Sequence, residues 1–467
     1  MSKRVGRSIV MLIVVCTTRA AMGALTLAGM FSDHAVFQAD MPVPVWGHAT
    51  PGTTVTVSFA DKSATATADE KGAWRAILPA MPANAKPAKM TVSASGEESK
   101  TIDDILVGEV WLGSGQSNMA LTVAKADKSE EFIRGAADPQ TRLFQVARSP
   151  ATAPADDVKG KWVICSPETV GPFSAVLYQF GRNVREGLHV PVGLIHSSWG
   201  GTPIQTWMPA DTLGPAPATQ VNPAGKPAPH LQASHLFNGM IAPIIPYAIR
   251  GVVWYQGENN VHQHDVPEYA GNMTRMVEAW RSRWHQGEFP FLFVQLPPFG
   301  NYRSTREALA EMWEQQTHAL KTIHNSGMAP TADLGDLANI HPTNKHEVGR
   351  RLALIAFARI YGKPDTVFEG PMYKSHEIEG SAIRVHFTGL GSGLKSRDDK
   401  PLTNFEVAGA DGAFVPADAK IDGNDVVVSS PKVEKPVALR FAWDESAQPN
   451  LANKEGLPAV AFRIPTP

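Results

Sequence analysis

The stretch Ile105-Leu106-Val107-Gly108-Glu109-Val110-Trp111-Leu112-Gly113-Ser114-Gly115-Gln116-Ser117-Asn118-Met119 sets the reading of the whole chain. Its first half is apolar and β-branched, the signature of a buried strand. Gly113 and Gly115 then allow a sharp turn where a Cβ would clash. Ser117 follows at the carboxyl end of the expected strand, which is where open α/β sheets place their ligand crevice. A hydroxyl presented there is a candidate nucleophile; the alternative is a solvated serine in a Gly/Ser turn. The pattern is not the Gly-x-Ser-x-Gly elbow, because Met119 stands where the last glycine would be.

Outward from this stretch, residues 102–363 alternate strand, loop and helix. Val192 to His196 runs into Trp199-Gly200-Gly201-Thr202, and Ile249 to Tyr255 runs into Gln256-Gly257-Glu258-Asn259-Asn260. Pro290 to Gln295 reads as a strand, and Met328 to Leu334 as the last one, ending in Gly335-Asp336. Tyr178 to Leu188 and Met273 to Trp284 read as helices. A closing helix carries Val348, Leu352, Ile355 and Ile360 on or near one face, with Asn344 and Glu347 spaced as a capping box and Gly362 as its stop. This alternation indicates βαβ units: an α/β domain with a parallel sheet and helices on both faces. The loops after the strands should gather on one edge of that sheet.

The flanks differ. In residues 24–101, Val55, Val57 and Phe59 alternate with polar residues between the turn signals Pro51-Gly52 and Glu70-Lys71-Gly72. In residues 364–467 the same pattern recurs through Ile383, Val385 and Phe387, then Val426 to Val428 and Val437 to Phe441. The first is expected to be a small β-sandwich, the second a β-sandwich or jelly roll. Leu213 to Pro229 is rich in Pro and Ala and reads as a long loop.

Residues 1–23 resemble a secretory signal. Lys3, Arg4 and Arg7 precede the apolar run Ser8 to Cys16, and Ala21-Met22-Gly23 offers a cleavage site. The run is too short to span a bilayer comfortably, so a secreted or periplasmic protein with no membrane span is expected. Of the two cysteines, Cys16 would leave with the signal, and Cys165 would have no partner for a disulfide. With 43% hydrophobic and 19% charged residues the chain has the composition of an ordinary globular protein. A net charge of −2 without a basic stripe argues against a nucleic-acid partner.

Several chemical groups fall on the expected sheet edge. They are Ser117, the backbone of Gly200 and Gly201, the amides of Gln256 and Asn259, and Asp336 and His341 in Asp333-Leu334-Gly335-Asp336-Leu337-Ala338-Asn339-Ile340-His341-Pro342. Acyl transfer needs this inventory: a serine, a histidine to take its proton, donors for an oxyanion and a carboxylate to orient the imidazole. Glu258 reads as a buried acid in a supporting role, holding the Gln256 loop and either pinning the Ser117 turn or pairing with an arginine. Two histidines in His262-Gln263-His264-Asp265 fall short of a closed ligand set, and no metal or organic cofactor is expected. Trp199, Trp207 and Trp254 are either a sugar-stacking wall or packed core.

The order serine, then histidine near the end of the α/β domain, is that of SGNH hydrolases. The chain resembles the sialate O-acetylesterase family of carbohydrate esterases. The matching segments are Phe31 to Gln38, Val110 to Met119, Trp199 to Thr202, Asn238 to Pro243, Trp254 to Asn260 and Ile340 to Lys345. The resemblance implies an SGNH/flavodoxin-like α/β domain flanked by β-domains. It further implies removal of O-acetyl groups from sugars with Ser117 as nucleophile and His341 as base, the partner being an acetylated mono-, oligo- or polysaccharide such as a sialic acid, xylan or xyloglucan acetate. In one respect the chain departs from the family: Asn339 stands where an acid often lies two residues before the histidine, and Ala338 where the Asp-x-x-His spacing would need one. Asp336 is then the nearest carboxylate and the expected orienter, with a backbone carbonyl or Glu258 as alternatives. The same departure leaves a catalytically impaired carbohydrate-binding protein as the second reading.

Overall fold

The strand Lys100–Gly115 is the axis of the molecule in the computed structural model, which describes residues 24–214, 228–302 and 304–465. Its first part pairs with Asn84–Ala94 and Val36–Gln38, and its second part lies between Val192–Ser198 and Gly251–Tyr255. The strand thus runs straight across the boundary expected at residues 101–102. The expected signal segment lies outside the described residues, as does most of the Pro/Ala-rich loop.

Across the central sheet the order is Trp162–Cys165, Asp138–Gln145, Val192–Ser198, Lys100–Gly115, Gly251–Tyr255, Phe291–Val294, Ser326–Ala329. All of these run parallel except the edge strand Trp162–Cys165. From Lys100–Gly115 the chain passes to one side, returns to the adjacent position, then crosses to the other side. Strand order therefore reverses around Lys100–Gly115, and its carboxyl end is the switch point at which open α/β sheets place their ligand crevice.

Helices cover both sheet faces. The Trp111 ring meets Phe180 of helix Ala175–Leu188 edge-on at 4.9 Å. Gly251 shares the face of Trp111 by register, so Trp254, at odd spacing from it, points the other way and meets Trp280 of helix Tyr269–Trp284 at 6.0 Å. On the first face, helix Lys345–Arg359 packs beside Ala175–Leu188. Half of the expected cap forms: Asn344 Oδ1 accepts from the Glu347 N–H at 3.2 Å, and Gly362 follows the helix at φ +65°. The Glu347 carboxylate turns to Arg350 and Arg351 instead of closing a capping box.

The last strand is Ser326–Ala329, earlier than expected from the apolar pattern. Before the central domain, Thr26–Leu27, Val43–His48 and Ala73–Leu78 form one sheet facing the strands that join Lys100–Gly115. Phe31, Phe37 and Phe59 fill the space between. After it, two four-stranded antiparallel sheets close over Phe387, Phe405, Phe441 and Phe462. The fold is mixed α/β with additional sandwich-like β-sheets. Among the described residues no helix is long and apolar enough to cross a membrane.

Candidate active site

The turn that presents Ser117 is built by contacts on both sides. Gly115 adopts φ +131°, and a Cβ there would stand 2.1 Å from the Tyr255 carbonyl oxygen. Only glycine tolerates both conditions. The Gln116 N–H donates to that same oxygen at 3.0 Å, and the Trp199 N–H donates to the Gly115 oxygen at 3.1 Å. Ser117, partly exposed, opens the short helix Ser117–Ala120.

Gln116 is buried, and its Oε1 accepts from the Gly257 and Asn259 N–H groups at 3.3 and 3.2 Å. It fixes the Gln256-to-Asn259 loop beside the serine. Gln256, expected to donate to an oxyanion, is fully buried. Its Nε2 instead reaches Gln116 Oε1, Thr202 O and Asn260 Oδ1 at 3.2, 3.1 and 2.8 Å. With more acceptors than amide hydrogens, it is spent on holding loops together. Asn259 fits the expected role better: Nδ2 uses one hydrogen on Gly201 O at 2.8 Å and keeps a second. Gly200 lies directly against Ser117, and its N–H is bonded to none of the described residues.

His341 is half-buried on the loop that follows Ser326–Ala329. This loop is tied down by Asp333, whose carboxylate takes two 2.7 Å bonds from Arg351. The nucleophile turn and the histidine loop meet through Asn118. Its Nδ2 donates to the Ile340 carbonyl at 2.9 Å and to Glu258 Oε1 at 2.5 Å, while its Oδ1 accepts from Lys345 Nζ at 2.5 Å. The partners fix the amide orientation, since a flipped group would face donors to donors. Ser117 and His341 are thus each one residue from a shared hydrogen bond.

Asp336, expected to orient His341, is not hydrogen-bonded to its ring. Its exposed carboxylate accepts from the Ala338 N–H at 3.0 Å, completing a surface turn with Asn339. Asn339 in turn accepts from the His341 backbone N–H at 3.0 Å. Among the described residues no carboxylate is hydrogen-bonded to the His341 ring. Burial, and secondarily the Lys345 charge, hold that imidazole below the ordinary histidine value. Its neutral, proton-accepting form is therefore favoured at neutral pH.

Glu258 and Lys345 are both buried. Burial raises the Glu258 carboxyl and pulls Lys345 down to about 7, each opposed by the other's charge. The Asn118 amide, offering N–H to one and C=O to the other, matches the charged forms of both. Sequence reasoning missed Gln116, Asn118 and Lys345 as part of the site. A signal was present for Lys345: a cation at the start of a helix opposes the helix dipole.

Trp199, next to Gly200, stacks on His230 with ring centres 4.8 Å apart and carries the Arg148 guanidinium at 5.5 Å. Trp207 and Trp254 are core, meeting edge-on at 6.1 Å. His262 Nδ1 pairs with the Tyr302 carbonyl at 2.7 Å.

The chain matches the family model described as "Carbohydrate esterase, sialic acid-specific acetylesterase" over residues 107–358. It is 31% identical to the sialate O-acetylesterase of Mus musculus, over 81% of this chain and 82% of that protein. It is 30% identical to that of Homo sapiens, over 79% of this chain and 77% of that one. Among solved structures it is similar to a carbohydrate acetylesterase from Xanthomonas citri, with a TM-score of 0.88 and 36% identity, over 94% of this chain and 99% of the other. The chain is therefore an ester hydrolase and belongs to the sialic acid-specific acetylesterase family of carbohydrate esterases.

Proposed function

We propose that this protein removes O-acetyl groups from sugars by serine acyl transfer, on an SGNH-type α/β domain spanning residues 102–363. Ser117 Oγ attacks the acetyl carbonyl while His341 accepts its proton. The tetrahedral intermediate collapses, and the sugar oxygen leaves with the proton from His341. Water then gives a proton to His341 and attacks the acetyl-serine, and acetate departs with Ser117 restored. The Gly200 and Gly201 backbone and the free Asn259 Nδ2 hydrogen are the oxyanion donors, each worth about 3–4 kcal/mol in the transition state. The chain is exported, with residues 1–23 as its signal and residues 24–101 and 364–467 as flanking β-domains.

The observation that carries this reading is the Asn118-to-Ile340 bond, which locks the Ser117 turn to the His341 loop with Gly200 packed on the serine. The test is acetate release from 4-nitrophenyl acetate and from acetylated sialic acid, xylan and xyloglucan. Ser117→Ala should lose roughly 10³ to 10⁶ in turnover; full turnover by the purified variant would refute the reading. A second reading, a carbohydrate-binding protein with impaired chemistry, draws on the absence, among the described residues, of a carboxylate hydrogen-bonded to the His341 ring. It predicts glycan binding without acetate release and without labelling by a serine-directed phosphonate.

A further inference from the structure

Lys345 sits where elementary electrostatics disfavours it. It is fully buried, it leads helix Lys345–Arg359, and among the described residues it has no hydrogen bond to a carboxylate. Burial of an ammonium is unfavourable, and a helix amino terminus repels a cation. What it does touch is specific: Asn118 Oδ1 at 2.5 Å, and the Tyr255 ring with Nζ 5.1 Å from its centre. A methionine of similar volume would avoid these penalties at Lys345 but would leave the buried Glu258 without its opposing charge. The role of Lys345 follows from the side chain that it hydrogen-bonds.

It holds the amide between nucleophile and base. Asn118 follows Ser117 and bonds Ile340, which precedes His341. Lys345 pulls on the oxygen of that amide and Glu258 on its nitrogen, so the group has one orientation. We propose that Lys345 is a positioning residue for the esterase reaction, clamping Asn118 together with Glu258 and so setting the Ser117 turn against the His341 loop. This inference rests on the serine–histidine reading given above. Burial chiefly, and the Lys345 charge after it, lower the proton affinity of the His341 ring. The ionisable groups around Lys345 are Glu258 from the neighbouring short helix, Tyr255 from the end of Gly251–Tyr255, and His341 from its own loop; Tyr302 and Tyr255 in turn flank Glu258.

The test is Lys345→Met, with kcat, KM and the pH dependence of kcat/KM measured on 4-nitrophenyl acetate, and folding checked by near-UV circular dichroism. The expected result is a fall in kcat of about 10²-fold, the size associated with misplacing reacting groups by about 1 Å, with KM nearly unchanged. The acid limb of the profile should move up toward the ordinary histidine value. Lys345→Gln, which keeps a donor for Asn118 but no charge, should recover much of kcat while keeping the displaced limb. It also decides the matter should Lys345→Met fail to fold. A folded variant with wild-type kcat and an unmoved acid limb overturns the inference. Ser117→Ala separates the two levels: if it stays active, the serine reading has failed, whereas an inactive Ser117→Ala beside a wild-type-like Lys345→Met condemns the positioning role alone.

Discussion

A Cβ built on Gly200 would stand 3.1 Å from the Cβ of Ser117, so no side chain fits between these two residues. Gly200→Ala retains the backbone N–H but must push the serine or its own loop by a few tenths of an ångström. We expect kcat/KM on acetyl esters to fall about 10- to 100-fold, because reacting groups tolerate little displacement. The melting temperature should change little, and the paired measurement of Tm and kcat/KM separates the two effects.

Asn259 and Gln256 come from the same loop and should separate cleanly. Asn259→Ala removes the free donor and should lower kcat by about 10²- to 10³-fold. Gln256→Ala leaves Asn260 and Gln116 short of a buried partner and should lower stability by about 1–3 kcal/mol. Urea denaturation alongside steady-state kinetics checks both. A larger stability loss for Asn259→Ala than for Gln256→Ala would reverse the assignment.

Asp336 faces solvent with its carboxylate on the Ala338 N–H. Asp336→Asn should therefore keep kcat within about threefold of wild type, whereas losing the acid of a working triad costs about 10⁴. A loss of that larger size would place Asp336 on the histidine during turnover.

The pH profile follows from His341. Burial and the Lys345 charge depress its proton affinity. The proton-accepting form persists to lower pH, so the acid limb of kcat/KM should lie below the ordinary value of about 6.5. Measured with 4-nitrophenyl acetate in constant ionic strength buffers, a limb at or above that value would contradict the burial seen here.

Cys165 is buried, and burial pushes its thiol up to about 12. The thiolate is the reactive form, so the folded protein should resist Ellman's reagent and release a thiol only on unfolding in guanidinium. Rapid labelling of the native enzyme would mean that the edge strand Trp162–Cys165 opens readily.

What could be read from the sequence was what a local pattern encodes. The apolar run before Gly113, the strands starting at Val192 and Gly251, and the helix capped by Asn344 all show period or punctuation in one short window. The strand Ser326–Ala329 does not. It is small and weakly apolar because Ile355 presses on it; a Cβ on Gly327 would lie 2.4 Å from Ile355 Cγ2. Asp138–Gln145 hides in the same way, since its buried Arg142 is satisfied by Asp104, distant in sequence, at 2.6 Å. In helix Ala308–Thr322 the core-facing Gln316 breaks the apolar stripe by donating to Val294 O at 3.1 Å. At the site, the motif placed Gln256 and Asn259 together but could not say which amide was already engaged. That depends on Gln116, Thr202 and Asn260, which meet only in three dimensions.

The Lys100–Gly115 strand carries one further consequence. Its amino-terminal part is a rung of the first β-module and its carboxyl end aims the nucleophile, so the two regions share one continuous strand. That strand couples the two regions, and they are expected to open as a single cooperative unit. Hydrogen exchange at Ile102 should report the same opening energy as at Leu112. For the same reason the first β-module is not an accessory to be exchanged like a tethered binding domain. A splice that replaced it would have to cut inside the strand that ends in the turn of Ser117.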